Sequence, residues 1–363
     1  MNEFEKRVLS KIEQYGLISN GDKIVVGFSG GPDSTALIQC LYNINLKSDL
    51  HFEIIAAHIN HGIRENAKLD EEFVNKYCIE HNIDLRVIHA DVKKVSKELK
   101  RGLEETGRIL RYESFVQIAK EINAKKIAIA HNQKDKIETI VMNALRGSGL
   151  SGLRGIEEIQ EQDEYVYIRP LLHESRENIE EYLKDQNIVA RIDESNFDNT
   201  FTRNKIRNIV IPYIEKEFNP NFISSIDRMS NIIKEEDEYL NNITESAFKE
   251  ICLGYNLVQE EEFNSTLENL EKDKNGKHYN QVVLDLKKFN KEHLVIQKRI
   301  ILKAIERLFG TTQGIEQIHV QDIVKLCNNN IGNKYLLPNK HTQIVIKNKK
   351  ILINRLKWQS VRA

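Results

Sequence analysis

Ser29-Gly30-Gly31-Pro32-Asp33-Ser34 is the segment of this chain best equipped for chemistry. Glycines let a backbone turn with its N–H groups pointing inward, and a helix that follows adds partial positive charge at its N-terminus. Together they make an anion site suited to phosphate. Ser29 and Ser34 can donate hydroxyl hydrogen bonds to phosphate oxygens. Asp33 would repel a phosphate unless a cation lies between them, so it implies Mg²⁺. Neither commoner glycine loop is present: the lysine of GxxxxGK[ST] is absent and the GxGxxG spacing is not met. A plain strand-to-helix turn would need no more than a Gly-Gly and an N-cap. The full segment, set between an apolar run and an apolar helix, favours phosphate.

Three further blocks carry titratable or basic groups. His58-Ile59-Asn60-His61-Gly62-Ile63-Arg64 closes an apolar run. Two histidines without a third ligand are weak evidence for zinc and more often cap a strand. Their place at a strand's carboxyl end, where open α/β sheets bind ligands, raises the functional reading. Glu104 through Tyr112 holds Arg108 and Arg111 three apart on one helical face. Such a pair is either a solvated basic face or a guanidinium contact to phosphate or RNA. The third block starts at Ala130-His131-Asn132-Gln133-Lys134-Asp135-Lys136-Ile137-Glu138-Thr139 and runs on to Arg146-Gly147-Ser148-Gly149. Asp135 and Glu138, three apart, project from one helical face. They could hold Mg²⁺, grip an ammonium group, or simply be solvated.

The elements that must position these blocks alternate. Lys23–Phe28, Glu53–His58, Asp84–His89 and Lys126–Ala130 read as strands covered on both faces. Helical stretches near Asp33–Asn45, Asn66–His81 and Leu103–Asn123 lie between them. Strand–helix alternation predicts a doubly wound, mostly parallel α/β sheet, with Tyr165–Arg169 as a fifth strand. After Phe218 the pattern changes. Phe222–Phe248 and Lys298–Phe309 read as amphipathic helices, Val282–Leu286 and Gln343–Asn354 as strands, and Asn219-Pro220-Asn221 as a hinge. The expected division is 1–218 and a helix-rich appended domain, 219–363.

Composition narrows the classes. A length of 363 residues suggests two or three domains at roughly 100–200 residues each. No apolar run reaches the roughly 18 residues needed to cross a bilayer, so no membrane partner is expected. The N-terminus lacks the apolar stretch of a secretory signal. Cys40, Cys78, Cys252 and Cys327 lie far apart, as expected of reduced thiols in the cytoplasm. The net charge is −1, yet nine Lys or Arg and no acid follow Ile323. Neutrality is therefore a sum of patches, and a basic C-terminal region is suited to RNA phosphates. The oligomeric state stays open, a homodimer included.

The glycine loop resembles the PP-loop of the N-type ATP pyrophosphatases. All the blocks in order resemble the tRNA(Ile)-lysidine synthases. A fourth block, Arg169-Pro170-Leu171-Leu172, Asp193-Glu194-Ser195-Asn196 and Thr202-Arg203-Asn204-Lys205-Ile206-Arg207, fits as well. The resemblance spans about residues 20–215 and is looser around Lys334–Leu337 and Gln343–Asn354. It departs at Lys134, where the family usually carries an acid, and at Lys136, where Gln is common. The chain is also shorter than many members.

The resemblance implies an adenine nucleotide hydrolase-like fold. It also implies ligation of free L-lysine to C2 of the wobble cytidine of an isoleucine tRNA with a CAU anticodon, with ATP and Mg²⁺. By that resemblance Ser29, Gly30, Gly31, Pro32, Asp33, Ser34 and His58 bind ATP, with Asp33 positioning the metal. Arg111 and His131 lie at the α-phosphate, Asp135 and Glu138 bind lysine, and Arg203 and Arg207 contact tRNA or AMP. Two alternatives carry different signatures. Thiolating relatives need a cysteine pair, and the cysteines here are single. A non-enzymatic RNA-binding protein would not need the intact loop.

Overall fold

The computed structural model describes residues 1–60, 62, 67–191, 202–257, 279–312, 314–329 and 334–356. His61, Ile63 and Arg64 of the second block, and Asp193, Glu194, Ser195 and Asn196 of the fourth, lie outside the described residues. The chain forms two compact units, Met1–Lys234 and Glu235–Ala363. The division falls inside a helix of 30 residues, Phe222–Ile251, rather than at the Asn219-Pro220-Asn221 turn that precedes it. A proline ends one helix there, but the first turns of the next still pack into the first unit's core through Phe222, Ile223 and Ile226.

The first unit runs α1 (Glu3–Tyr15), β1 (Lys23–Gly27), α2 (Pro32–Lys47), β2 (Glu53–Asn60), α3 (Ala67–Glu80), β3 (Asp84–His89), α4 (Val92–Leu99) and α5 (Leu103–Glu121). It continues through β4 (Lys126–Ala128), α6 (Gln133–Leu145), α7 (Leu150–Leu153), β5 (Ile159–Gln162), β6 (Tyr165–Ile168), α8 (Arg176–Asp185) and α9 (Thr202–Lys205). A π-helical turn (Ile206–Val210), α10 (Ile211–Glu217) and the start of α11 (Phe222–Ile251) complete it. The sheet order is β3-β2-β1-β4-β6-β5. The neighbours β3 to β6 pair in parallel and β5 is antiparallel to β6.

Strand periodicity explains the two-sided core. Ile24 and Val26 of β1 point to one layer, with Ala36, Leu37 and Leu41 of α2. Val25 points to the other, with Phe115, Ile118 and Ala119 of α5. Side chains alternate faces along a strand, so an unbroken apolar run is what a strand covered on both sides requires. Chain order reverses between β1 and β4, and the carboxyl ends of strands at such a point are where this architecture places ligands.

The second unit carries its own sheet: β7 (Cys252–Leu257), β8 (Tyr279–Asp285), β9 (Lys334–Asn339), β10 (Thr342–Lys347) and β11 (Lys350–Arg355), in the order β7-β8-β11-β10-β9. All of its pairings are antiparallel. With α12 (Leu286–Phe289), α13 (Leu294–Phe309) and α14 (Gln317–Asn328) it buries Val282, Leu284, Ile344, Ile346, Ile351 and Ile353 against Ile300, Ile301, Ile323 and Cys327. The stretch read as one strand, Gln343–Asn354, is a hairpin turning at Asn348 and Lys349. Both turn residues have positive φ, 51° and 60°, as a two-residue hairpin turn demands. Among the described residues no helix is long and apolar enough to cross a membrane.

Candidate active site

The glycine loop leaves the carboxyl end of β1. Phe28 is buried, and its N–H extends the parallel ladder to Ala57 O at 2.9 Å. Gly30 has φ +86°, which L side chains rarely adopt, and a Cβ there would lie 3.3 Å from Phe73. Gly31 caps α2 and Pro32 begins it, where a missing N–H costs nothing. The two serines brace the turn. Ser34 Oγ donates to Gly31 O at 3.0 Å, accepts from Ser29 N–H at 3.2 Å, and sits 3.0 Å from Ser29 Oγ. Thr35 Oγ1 donates to Gly30 O at 3.2 Å. The first-turn N–H groups of Asp33 and Ser34 have no intrahelical acceptor by geometry, so they are the donors an anion would meet.

Asp33 ties this loop to the next strand's end. Asn132 caps α6 in a reciprocal box with Asp135, at 3.2 and 3.1 Å. Its buried amide Nδ2 donates to Asp33 Oδ1 at 3.0 Å. Arg176, first residue of α8, donates Nη1 to both Asp33 oxygens at 2.9 and 2.8 Å, and its Nε reaches Glu180 at 2.7 Å. Burial raises the Asp33 carboxyl above its ordinary range, although the Arg176 guanidinium pulls the other way.

The carboxylate pair meets the two arginines of the fourth block. Arg203 Nε donates to Glu138 Oε2 at 3.0 Å and its Nη2 to Asp135 Oδ1 at 2.9 Å. Arg207 Nε donates to Glu138 Oε1 at 2.5 Å, and its Nη2 reaches Asp135 Oδ1 at 3.0 Å and Glu138 Oε2 at 2.9 Å. Glu138 is fully buried and Asp135 13% exposed, while each arginine keeps 28%. Burial pushes the Asp135 carboxyl up, but Arg203, His131 and Arg207 together hold it below its ordinary value. Arg203 and Arg207 therefore face the carboxylates directly.

His131 precedes the Asn132 cap. Its Nδ1 accepts from Arg169 Nε at 3.1 Å. Burial pushes its pKa down to about 4, opposed by Asp135 and assisted by the charges of Arg169, Arg203 and Arg111. Arg111 is thus close enough on α5 to act on His131, while Arg108 lies over the Tyr112 ring at 5.6 Å. His58 stands apart from these clusters: it is buried, and its Nδ1 donates to Phe28 O at 2.9 Å, pinning β2 to the base of the loop.

Asn132, Arg169 and Arg176 were not singled out for these roles by sequence reasoning. Arg176 signals only a helix start after Ser175, whose side chain caps it. Lys136, where the family commonly has Gln, is buried and donates to Asp227 Oδ1 at 2.8 Å and Asn231 Oδ1 at 3.1 Å. Among the described residues, no group of three or more His, Cys, Asp or Glu could hold a metal. Cys40, Cys78, Cys252 and Cys327 are free thiols, the first two buried on α2 and α3.

This geometry can be set beside known proteins. A family model described as a PP-loop domain matches residues 1–214. A tRNA(Ile)-lysidine synthase of Clostridium tetani is 37% identical over 334 residues, which cover 92% of this chain and 65% of that protein. Another, of Clostridioides difficile, is 38% identical over 360 residues, covering 97% of this chain and 72% of that protein. The chain thus spans about two thirds of the length of these relatives. Among solved structures, the U34-tRNA thiolase NcsA of Methanococcus maripaludis superposes with a TM-score of 0.53 at 20% identity, covering 64% of this chain and 79% of that one, a likeness of fold alone. With the loop, the capped α6 and the arginine-paired carboxylates all in one unit, the chain belongs to the tRNA(Ile)-lysidine synthase family of PP-loop proteins.

Proposed function

We propose that this chain ligates L-lysine to C2 of the wobble cytidine in the CAU-anticodon isoleucine tRNA, in the cytoplasm, converting ATP to AMP and pyrophosphate. The C2 oxygen of cytosine is a poor leaving group. Its attack on the α-phosphorus of ATP expels pyrophosphate and leaves the base activated as an adenylate. The lysine ε-amine then adds to C2, and AMP departs with the former C2 oxygen. The amine proton passes to a carboxylate or to the departing phosphate.

The residues divide this work. The N–H groups of the loop, with Ser29, Gly30, Gly31, Pro32 and Ser34, hold the departing pyrophosphate. His58 supports the loop's base. Arg111 and His131 stabilise charge at the α-phosphate as adenylate transfers. Asp33 is the loop's own carboxylate. Its Oδ1 takes two donors and Oδ2 takes one, which leaves acceptor capacity for a cation. Asp33 would offer that oxygen to a Mg²⁺ ion, which would neutralise charge on the triphosphate.

The observation that carries the reading is the buried carboxylate pair of α6, already receiving two side-chain cations. Asp135 and Glu138 form a buried site for cationic donors, and the substrate lysine brings an ammonium group that would compete for it. Arg203 and Arg207 would then turn to the phosphates of AMP or tRNA. Thiolation lacks support, because Cys40 and Cys78 are buried, Cys78 with its thiol pushed up to about 12 by burial.

The test is nucleoside mass spectrometry of that tRNA after incubation with ATP, Mg²⁺ and labelled lysine. Labelled lysidine is expected. Unmodified cytidine with no AMP released would sink the reading. Glu138→Gln should lose lysidine formation while keeping lysine-independent pyrophosphate release on tRNA.

A further inference from the structure

Arg169 follows β6, immediately before Pro170, and is 3% exposed. All three of its nitrogens are engaged. Nε donates to His131 Nδ1 at 3.1 Å, Nη1 to Glu157 O at 2.9 Å, and Nη2 to Gln160 Oε1 at 2.8 Å. None of these acceptors is a carboxylate. A buried guanidinium that gives up water for neutral acceptors carries a desolvation cost that a salt bridge would have reduced. What it gains at this place is a fixed direction for its Nε–H.

The contact with His131 has only one chemical sense. Arginine has no acceptor atom and keeps its protons, so Nε must donate and His131 Nδ1 must accept with its lone pair. A proton on Nδ1 would set one N–H against another. We infer that Arg169 is a positioning residue, fixing His131 as the neutral imidazole whose one proton sits on Nε2. The groups facing His131 agree. Arg111 of α5, Arg203 of α9 and Arg169 after β6 repel an imidazolium, and Asp135 of α6 favours one.

Two consequences follow for the proposed reaction, and both rest on His131 lying at the α-phosphate. His131 offers that phosphate a hydrogen bond through Nε2–H without becoming a cation. It also cannot serve as the base for the lysine amine through Nδ1, whose lone pair Arg169 occupies. The proton must go to a carboxylate or to the departing AMP.

The test reads the tautomer directly. Protein labelled with ¹⁵N in histidine gives ring-nitrogen shifts that separate Nδ1–H, Nε2–H and imidazolium forms, and loss of a signal in His131→Gln assigns the residue. Without ligands at pH 7, the Nε2–H form is expected. In Arg169→Met the Nδ1–H form should become populated, and Arg169→Lys, which keeps one cationic donor, should restore the Nε2–H form in part. In steady state, Arg169→Met should lower kcat at least about tenfold with KM for ATP changed less than about threefold. Nδ1–H or imidazolium in the unaltered protein overturns the proposal whether or not the Arg169 variants fold. So does an unchanged tautomer in a folded Arg169→Met. A tautomer that responds while kcat does not would overturn His131's place at the α-phosphate and leave the control by Arg169 standing.

Discussion

Lys136 is an ammonium in the interior, 4% exposed, and its partner Asp227 is 19% exposed. The first turns of α11 are thereby tied to the helix that bears Asp135 and Glu138. Removing one partner of a buried pair leaves the other charge unpaired, which costs more than the pair itself is worth. Lys136→Met is therefore expected to lower unfolding free energy by about 2–3 kcal/mol, with Asp227→Asn added at little further cost. Chemical denaturation of the two single variants and the double variant measures this, and strict additivity would refute the coupling. His131 supplies a second prediction at this scale. Its folded pKa, about 4, lies below the usual 6.5, so below pH 6.5 the unfolded chain binds the extra proton. Stability linked to His131 is thus fully present above pH 6.5 and is lost as pH falls toward 4. Melting temperature should fall across that window, and less steeply in His131→Gln.

Between elements, contact distances decide what sequence could reveal. Gly27 ends β1 where α5 crosses it, and a Cβ there would come 2.7 Å from Phe115 Cζ. Gly27→Ala should then destabilise the sheet–helix packing by about 1–3 kcal/mol, with Phe115→Leu restoring part of it in thermal unfolding. An added alanine without effect would mean that α5 can withdraw. The strands β1, β2, β4 and β6 were legible because their apolar runs suit a sheet covered on both faces, whereas β3, expected to be covered on both faces, is an edge strand with no fully buried residue. The edge strand β5 was not legible, since Gln160, Glu161 and Gln162 are exposed and carry no apolar signal. The β10–β11 hairpin was hidden because Asn348-Lys349 lacks the glycine that usually marks such a turn. The site was legible as blocks and not as contacts. Asp33 and Arg176 lie 143 residues apart, and the pairing β1-β4-β6 that brings them together is a property of the folded sheet. Arg203 and Arg207 could be read as basic residues of the fourth block, but their carboxylate partners could not.

At the scale of the whole molecule, a net charge of −1 conceals a sharp local excess. Lys347 and Lys350 stand directly opposite each other across the β10–β11 turn, with Lys349 in it. Lys334 pairs with Ile346, one residue from Lys347, so all four exposed lysines gather at one end of the second unit's sheet. Like charges placed opposite each other destabilise a hairpin, so the arrangement is costly unless a polyanion meets it. The proposed tRNA substrate is such a polyanion, and its binding should release one counterion for each phosphate neutralised. Cutting the chain after Phe309 would be a poor probe. It removes Ile323, Ile344, Ile346, Ile351 and Ile353 from one buried core and would unfold the unit rather than discharge it. Charge removal by Lys334→Gln, Lys347→Gln and Lys350→Gln keeps that core intact. For each lysine that contacts a phosphate, the slope of log affinity against log salt should flatten by about 0.7–0.9. Filter binding of the CAU isoleucine tRNA over a salt series measures that slope, and ATP affinity should stay the same because the glycine loop proposed to bind it belongs to the first unit. A slope that does not change in the triple variant would assign the lysine cluster to solvent and leave tRNA to surfaces nearer α6.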